Sequence, residues 1–172
     1  MKDELAHFVL ADAAKCSGCR ACELACFAGH RPEKTKTVGT VNTPVTPRLY
    51  LARGASSCMP VQCHHCEDAP CMKSCLTGAL IRTEGIVVLD NRRCIGCRNC
   101  ALACPFGAIE VFSSSELPGL DHKLVYKCDL CKDEREAACA AACPNQALRL
   151  VDAETEITEK RISAINALSE GV

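Results

Sequence analysis

The sequence contains no tryptophan, and aromatic residues make up only 3 % of its 172 positions. Large apolar side chains are scarce too: Leu, Ile, Val and Phe number 38 in all, little for a hydrocarbon core at this length. No apolar stretch nears the roughly 20 residues that a membrane-spanning helix needs, so no membrane span is expected. Met1-Lys2-Asp3-Glu4-Leu5-Ala6-His7-Phe8 lacks the apolar run of a secretory signal. No Lys/Arg run builds a basic face and the formal net charge is −1, which argues against nucleic acid as a partner.

What the chain has in abundance is cysteine, 17 in all. In a small secreted chain that density would denote a disulfide scaffold. Here the number is odd, the cysteines fall in four tight clusters, and no signal run precedes them, which points instead to metal. The expected setting is reducing: cytoplasmic, or periplasmic only in company with a partner that carries the export signal.

The central run is Cys94-Ile95-Gly96-Cys97-Arg98-Asn99-Cys100-Ala101-Leu102-Ala103-Cys104-Pro105. Its C-x2-C-x2-C-x3-C-P spacing is the one with which bacterial ferredoxins hold 4Fe–4S clusters. Three such close cysteines wrap one loop around three corners of a cube, and the fourth, one short helical turn on, faces a neighbouring cube. Structural zinc prefers two separated C-x2-C pairs and suits this spacing poorly. Cys16-x2-Cys19-x2-Cys22-x3-Cys26 repeats the run, with Phe27 in the proline position. Cys63-x2-Cys66-x4-Cys71-x3-Cys75 and Cys128-x2-Cys131-x7-Cys139-x3-Cys143-Pro144 stretch the gap before the third cysteine. Either stretched motif alone would fit zinc or iron; beside two ferredoxin-type runs both read as iron sites. Four such sites would take the total charge to about −9, because each oxidised core with its thiolates carries −2.

The segments after the motifs form an internal repeat. Leu76-Thr77-Gly78-Ala79-Leu80-Ile81, Pro105-Phe106-Gly107-Ala108-Ile109-Glu110 and Pro144-Asn145-Gln146-Ala147-Leu148-Arg149 each place alanine four residues past a cysteine, before an aliphatic that opens a short strand. Strands are also expected over 6–10 and 48–51, a hairpin over 79–83 and 86–90 hinged at Glu84-Gly85, and a closing strand over 147–151. Residues 27–57, rich in Gly, Pro and Thr with a basic patch at Arg31, Lys34 and Lys36, read as a long loop insertion, either a docking surface or a cover for the first site. Residues 152–170 read as a helix, with Asp152 as N-cap, Glu154 and Glu156 in the first turn, and Gly171 placed to end it. Its apolar stripe, Ile157, Ile162, Ile165 and Leu168, suits packing on the chain's own body, docking a neighbouring subunit, or stacking copies of this chain.

The four motifs in this order resemble the polyferredoxin electron-transfer subunits of molybdenum- and tungsten-pterin oxidoreductases and some hydrogenases. That family includes the small subunits of formate dehydrogenase, formate hydrogenlyase, dimethyl sulfoxide reductase and tungsten aldehyde oxidoreductase complexes. The likeness covers residues 7–151, with Leu76 where relatives often have proline. It implies an α+β fold of two bacterial-ferredoxin-like modules, each with two 4Fe–4S clusters, short strands and short helices. Residues 1–57 with 113–151 would make the outer module, 58–112 the inner one, and 152–172 a helical tail. By the same resemblance, Cys16, Cys19 and Cys22 would share a cluster with Cys143, and Cys128, Cys131 and Cys139 one with Cys26. Cys63, Cys66 and Cys71 would pair with Cys104, and Cys94, Cys97 and Cys100 with Cys75. The short 76–93 connection favours joining the two middle motifs independently.

With every cube position filled by thiolate, no iron is open to substrate. The expectation is thus a non-catalytic one-electron wire between a partner enzyme and a second redox subunit, with a hydrogenase-linked subunit or a diffusing polyferredoxin as the alternatives. Arg20, Arg98, His64 and His65 lie within cysteine loops and are candidates to tune potentials, which depend on hydrogen bonds, charge and exposure. Cys58 stands outside the pattern and reads as a free thiol that packs as a small apolar residue.

Overall fold

The computed structural model describes residues 7–31, 39, 41, 44–112, 124–132 and 136–169, which include all 17 cysteines. Of the expected basic patch, Lys34 and Lys36 lie outside the described residues, as does Gly171 beyond the tail helix. The elements run β1 (His7–Ala11), α1 (Ala21–Gly29), β2 (Leu49–Arg53), β3 (Cys58–Gln62), α2 (Pro70–Lys73), β4 (Leu80–Thr83), β5 (Ile86–Leu89), α3 (Asn99–Ala103), β6 (Ile109–Phe112), β7 (Leu124–Lys127), α4 (Ala138–Ala141), β8 (Leu148–Asp152) and α5 (Ala153–Ser169). Among the helices of the described residues, only α1 and α5 exceed five residues. The fold is a small mixed helix and strand one.

The strands form four two-stranded antiparallel sheets. β1 pairs with β8 in the register His7↔Asp152 to Ala11↔Leu148, which joins the first strand to the last. α1 packs on α4, and α2 on α3. The first motif is thus laid against the fourth and the second against the third. Each pair has its own core. Val9, Leu49, Ala137 and Leu148 enclose Cys22, Cys26 and Cys139, while Leu80, Val87, Ile109, Val111 and Val125 enclose Cys71 and Cys100. Strand periodicity sets these faces: in β6, Ile109 and Val111 turn inward and Glu110 outward.

The hairpin β4–β5 closes at Glu84 and Gly85, whose φ angles of 50° and 77° are those a tight two-residue turn demands. β3 was not legible in the sequence; it pairs with β2, and its Pro60 is tolerated because a two-stranded ribbon leaves one side free of ladder bonds. Hairpin β2–β3 crosses the boundary expected at 57/58, and β6–β7 the one at 112/113. The region expected to be mostly loop, 27–57, starts inside α1 and contains β2, where a strand over 48–51 was expected.

The tail helix forms with Asp152 as its cap, its carboxylate accepting from the Thr155 N–H at 3.0 Å and hydroxyl at 3.2 Å. Arg149 of β8 adds an ion pair to Glu156 at 2.6 Å. These contacts hold the first turn. No residue of α5 is buried, and Ile157, Ile162, Ile165 and Leu168 stand exposed. The expectation that the stripe packs on the chain's own body is corrected: the helix leaves the end of β8 with its apolar face unpartnered among the described residues. None of their helices is long and apolar enough to cross a membrane.

Core and surface leucines should separate sharply. Leu148→Ala, at a side chain 4 % exposed, is expected to cost about 2–5 kcal/mol. Leu102→Ala, at 86 % exposure, should stay within about 0.5 kcal/mol. Anaerobic chemical unfolding of both variants checks the contrast.

Candidate metal centres

All four motifs begin with the same backbone move. The second residue after the first cysteine takes a left-handed φ: 73° at Gly18, 50° at His65, 64° at Gly96 and 58° at Leu130. Glycine suits that conformation, and His65 and Leu130 adopt it despite their side chains. Backbone turned this way gathers N–H groups into an anion-holding concavity. The His65 N–H donates to Cys63 Sγ at 3.3 Å and the Leu130 N–H to Cys128 Sγ at 3.5 Å. Arg20 and Arg98 repeat the left-handed turn where α1 and α3 begin.

The last cysteines show why the sequence repeats alanine. The Ala79, Ala108 and Ala147 N–H groups donate to Cys75, Cys104 and Cys143 Sγ at 3.2, 3.5 and 3.2 Å. Each alanine is buried, Ala108 completely, so the amide reaches the sulfur from a place with no room for a longer side chain. The first motif departs from this. Its equivalent position is His30, and the amide to Cys26 Sγ comes instead from Arg48, at 3.3 Å.

Cysteines of different motifs converge. One pocket is lined by Cys16, Cys19 and Cys22 together with Cys143. A second is lined by Cys94, Cys97 and Cys100 together with Cys75. Burial, then the closeness of Cys63 and Cys104, raises the thiol of Cys71 to about 11 and also raises that of Cys66. Burial, then Cys26 and Cys131, pushes Cys139 up to about 12. Burial raises Cys128 further still. None of the 17 cysteines forms a disulfide.

So many sulfurs crowded out of water need cationic metal to exist as thiolates. Among the described residues, no three His, Cys, Asp or Glu side chains converge tightly enough to share one ion. A cube of irons, which spaces its four thiolates more widely than one tetrahedral ion, suits these sets better. His65 adds a second sign. Its ring is fully buried, Nδ1 accepts from the Val87 N–H at 3.0 Å, and Nε2 has no partner. Burial and then the Lys127 charge push its pKa down to about 3, so the ring is neutral and Nε2 carries the proton. A buried ring N–H within the second cysteine loop that has no protein acceptor fits an inorganic sulfide. The residues present therefore fit 4Fe–4S clusters.

Of the other loop residues singled out in the sequence, Arg20 reaches Glu23 at 3.8 Å and Arg98 donates to the Val111 carbonyl at 3.3 Å. His64 is stacked between Phe8 and Phe106, with centroids 5.3 and 4.2 Å away. Cys58, expected to pack inertly, places its Sγ 4.0 Å from Cys16 Sγ. Four residues escaped the sequence reading. His30 Nε2–H donates to Asp129 at 2.8 Å and Nδ1–H to the Cys26 carbonyl at 2.7 Å, while Arg48 pairs with the other Asp129 oxygen. The visible hint was His30 at an offset where the other motifs have alanine. Lys127 is the other omission; it shares the inward parity of β7 with Val125.

The bond to Asp129, then contact with Cys26, raises the His30 pKa from 6.5 to about 10. Burial alone would raise the Asp129 carboxyl, but His30 and Arg48 hold it well below the usual carboxylate range. A raised histidine contributes stability that is fully present below its unfolded pKa and lost as pH climbs through the folded one. The stability gap between the native chain and His30→Gln should therefore be widest below pH 6.5 and close toward pH 10. Denaturant unfolding at a series of pH values measures it, and a gap that ignores pH contradicts the assignment.

A model of the 4Fe–4S dicluster domain matches residues 55–153. The chain is 41 % identical over 155 residues to the electron transport protein HydN of Escherichia coli (strain K12), covering 85 % of this chain and 88 % of that one. It is 36 % identical over 175 residues to formate hydrogenlyase subunit 2 of the same organism, covering 85 % and 82 %. Against the putative oxidoreductase UacF, also of that organism, it is 40 % identical over 147 residues, covering 84 % of this chain but 21 % of the relative. The chain thus spans about a fifth of that larger protein and most of the other two. With the family model matched over more than half its length, the chain belongs to the 4Fe–4S dicluster domain family.

Proposed function

We propose that this chain is a non-catalytic electron-transfer subunit whose cysteines hold four 4Fe–4S clusters and relay single electrons between a partner oxidoreductase and a second redox subunit or acceptor. The observation that carries this reading is the pair of pockets in which three cysteines of one motif meet the last cysteine of another. Cys16, Cys19, Cys22 and Cys143 hold the first cluster. Cys63, Cys66, Cys71 and Cys104 hold the second, Cys94, Cys97, Cys100 and Cys75 the third, and Cys128, Cys131, Cys139 and Cys26 the fourth. Two ferredoxin-like modules follow from this crosswise sharing, interlocked by the hairpins that cross between them.

The clusters supply one-electron transfer; the chain fixes their order. Cys128 lies close enough to Cys63 to feel its charge, so the step between modules runs from the fourth set to the second. Cys19 and Cys97 are exposed, which makes the first and third sets the two ends of the wire. Around Cys97, Ile95 and Leu102 are exposed as well, as a docking face would require.

The resemblance to a relative named as an electron transport protein supports the relay role, and that to one named as a formate hydrogenlyase subunit supports a place within an enzyme complex over a diffusing carrier. The partner is a molybdenum- or tungsten-pterin enzyme or a hydrogenase, in the cytoplasm. The unpartnered stripe of α5 suits a subunit contact or a second copy of this chain.

Two experiments test the proposal. Cys16→Ser and Cys143→Ser should each abolish the same spectroscopic cluster and remove about four irons, while Cys26→Ser abolishes a different one. If Cys16→Ser and Cys26→Ser strike the same cluster, the crosswise assignment fails. Elemental analysis of the native, anaerobically isolated complex should find tungsten or molybdenum with the iron; nickel would indicate a hydrogenase partner. Zinc in place of iron would overturn the reading.

A further inference from the structure

Lys127 ends β7 on its inward face, one residue before Cys128, and only 5 % of it reaches solvent. A buried ammonium is costly unless its protons are taken up. Here Nζ donates to the carbonyls of Val87 and Cys128, the second at 2.8 Å. Val87 also gives its N–H to His65 Nδ1 at 3.0 Å. One β5 residue therefore links the ammonium to the loop of the second motif, while the Cys128 carbonyl links it to the fourth. These bonds place the ammonium between the loops of the second and fourth motifs, and its charge partly offsets the burial that raises the thiols of Cys71 and Cys128. The nearby carboxylate, Asp129, is engaged by His30 and Arg48. Two carbonyl dipoles hold the cation without neutralising it, and screening by salt is weak at such a buried position.

We propose that Lys127 is a potential-setting residue whose buried ammonium eases reduction of the two middle clusters together and leaves the two end clusters unaffected. The inference rests on the four-cluster reading above. In the step concerned, one electron passes from a reduced carrier to a cluster. The carrier is oxidised by one electron, no bond forms or breaks, and the cluster with its thiolates goes from −2 to −3. The fixed positive charge offsets the negative charge that arrives. Because it sits between the two middle sets, it acts on both, so it shifts them relative to the ends more than relative to each other.

The test is a mediated redox titration of the full chain, purified anaerobically and followed by electron paramagnetic resonance, on the native protein and on Lys127→Met, Lys127→Gln and Lys127→Arg. Both neutral variants should lower two of the four midpoint potentials, each by about tenfold in the one-electron equilibrium, or about 59 mV. Lys127→Arg should stay near the native values. Four unmoved potentials, or a shift confined to the end clusters, would overturn the proposal. Neutral variants that lose their iron beside an arginine variant that keeps it would also overturn it, by making the ammonium a structural tie. A native chain without four iron–sulfur signals would instead overturn the cluster reading itself.

Discussion

Sulfur anions held away from water must be met by N–H groups and metal, and nearly every local feature of this chain serves that need. The left-handed turn recurs at Gly18, His65, Gly96 and Leu130, and at His65 and Leu130 it carries the amide onto the first cysteine's sulfur. The buried alanines at 79, 108 and 147 bring further amides to the last ones. Because each loop is occupied in this way, little chain remains for regular structure, and most strands and helices stop at four or five residues.

Such short elements bury little hydrocarbon, so the architecture depends on which cysteines are made to meet. The β1–β8 pairing brings the first and last strands together, and the packing of α1 on α4 and of α2 on α3 lays the first motif against the fourth and the second against the third. The thin aliphatic content is then explained: each core is a shell of Val, Leu, Ile and Ala around sulfur. Charge is placed with similar economy, with His30 and Arg48 paired to Asp129 inside the fourth motif and Lys127 buried one residue before it.

Much of this was readable from spacing. The cysteine rhythm, the repeated alanine, the Glu84-Gly85 turn and the Asp152 cap each reflect a local rule, and each appears where the sequence puts it. What escaped is long-range. Nothing near Arg48 indicates that its amide serves Cys26 in place of an alanine, because that contact joins residues 22 apart. β3 was hidden by Pro60 and by a cysteine that belongs to no motif. Nothing in the sequence around Lys127 marks it, and only the approach of β5 makes it a buried charge. For α5 the amphipathic stripe is real, but periodicity does not say what it faces.

The central claim is that each cluster is shared between two motifs. Anomalous diffraction at the iron edge, from crystals of the anaerobically prepared chain, examines it directly. The account predicts four iron centres, one within each crosswise set, with Cys143, Cys104, Cys75 and Cys26 each bound to a cluster whose other ligands come from a different motif. Iron centres held by four cysteines of a single motif, or metal at only two of the four positions, would contradict it.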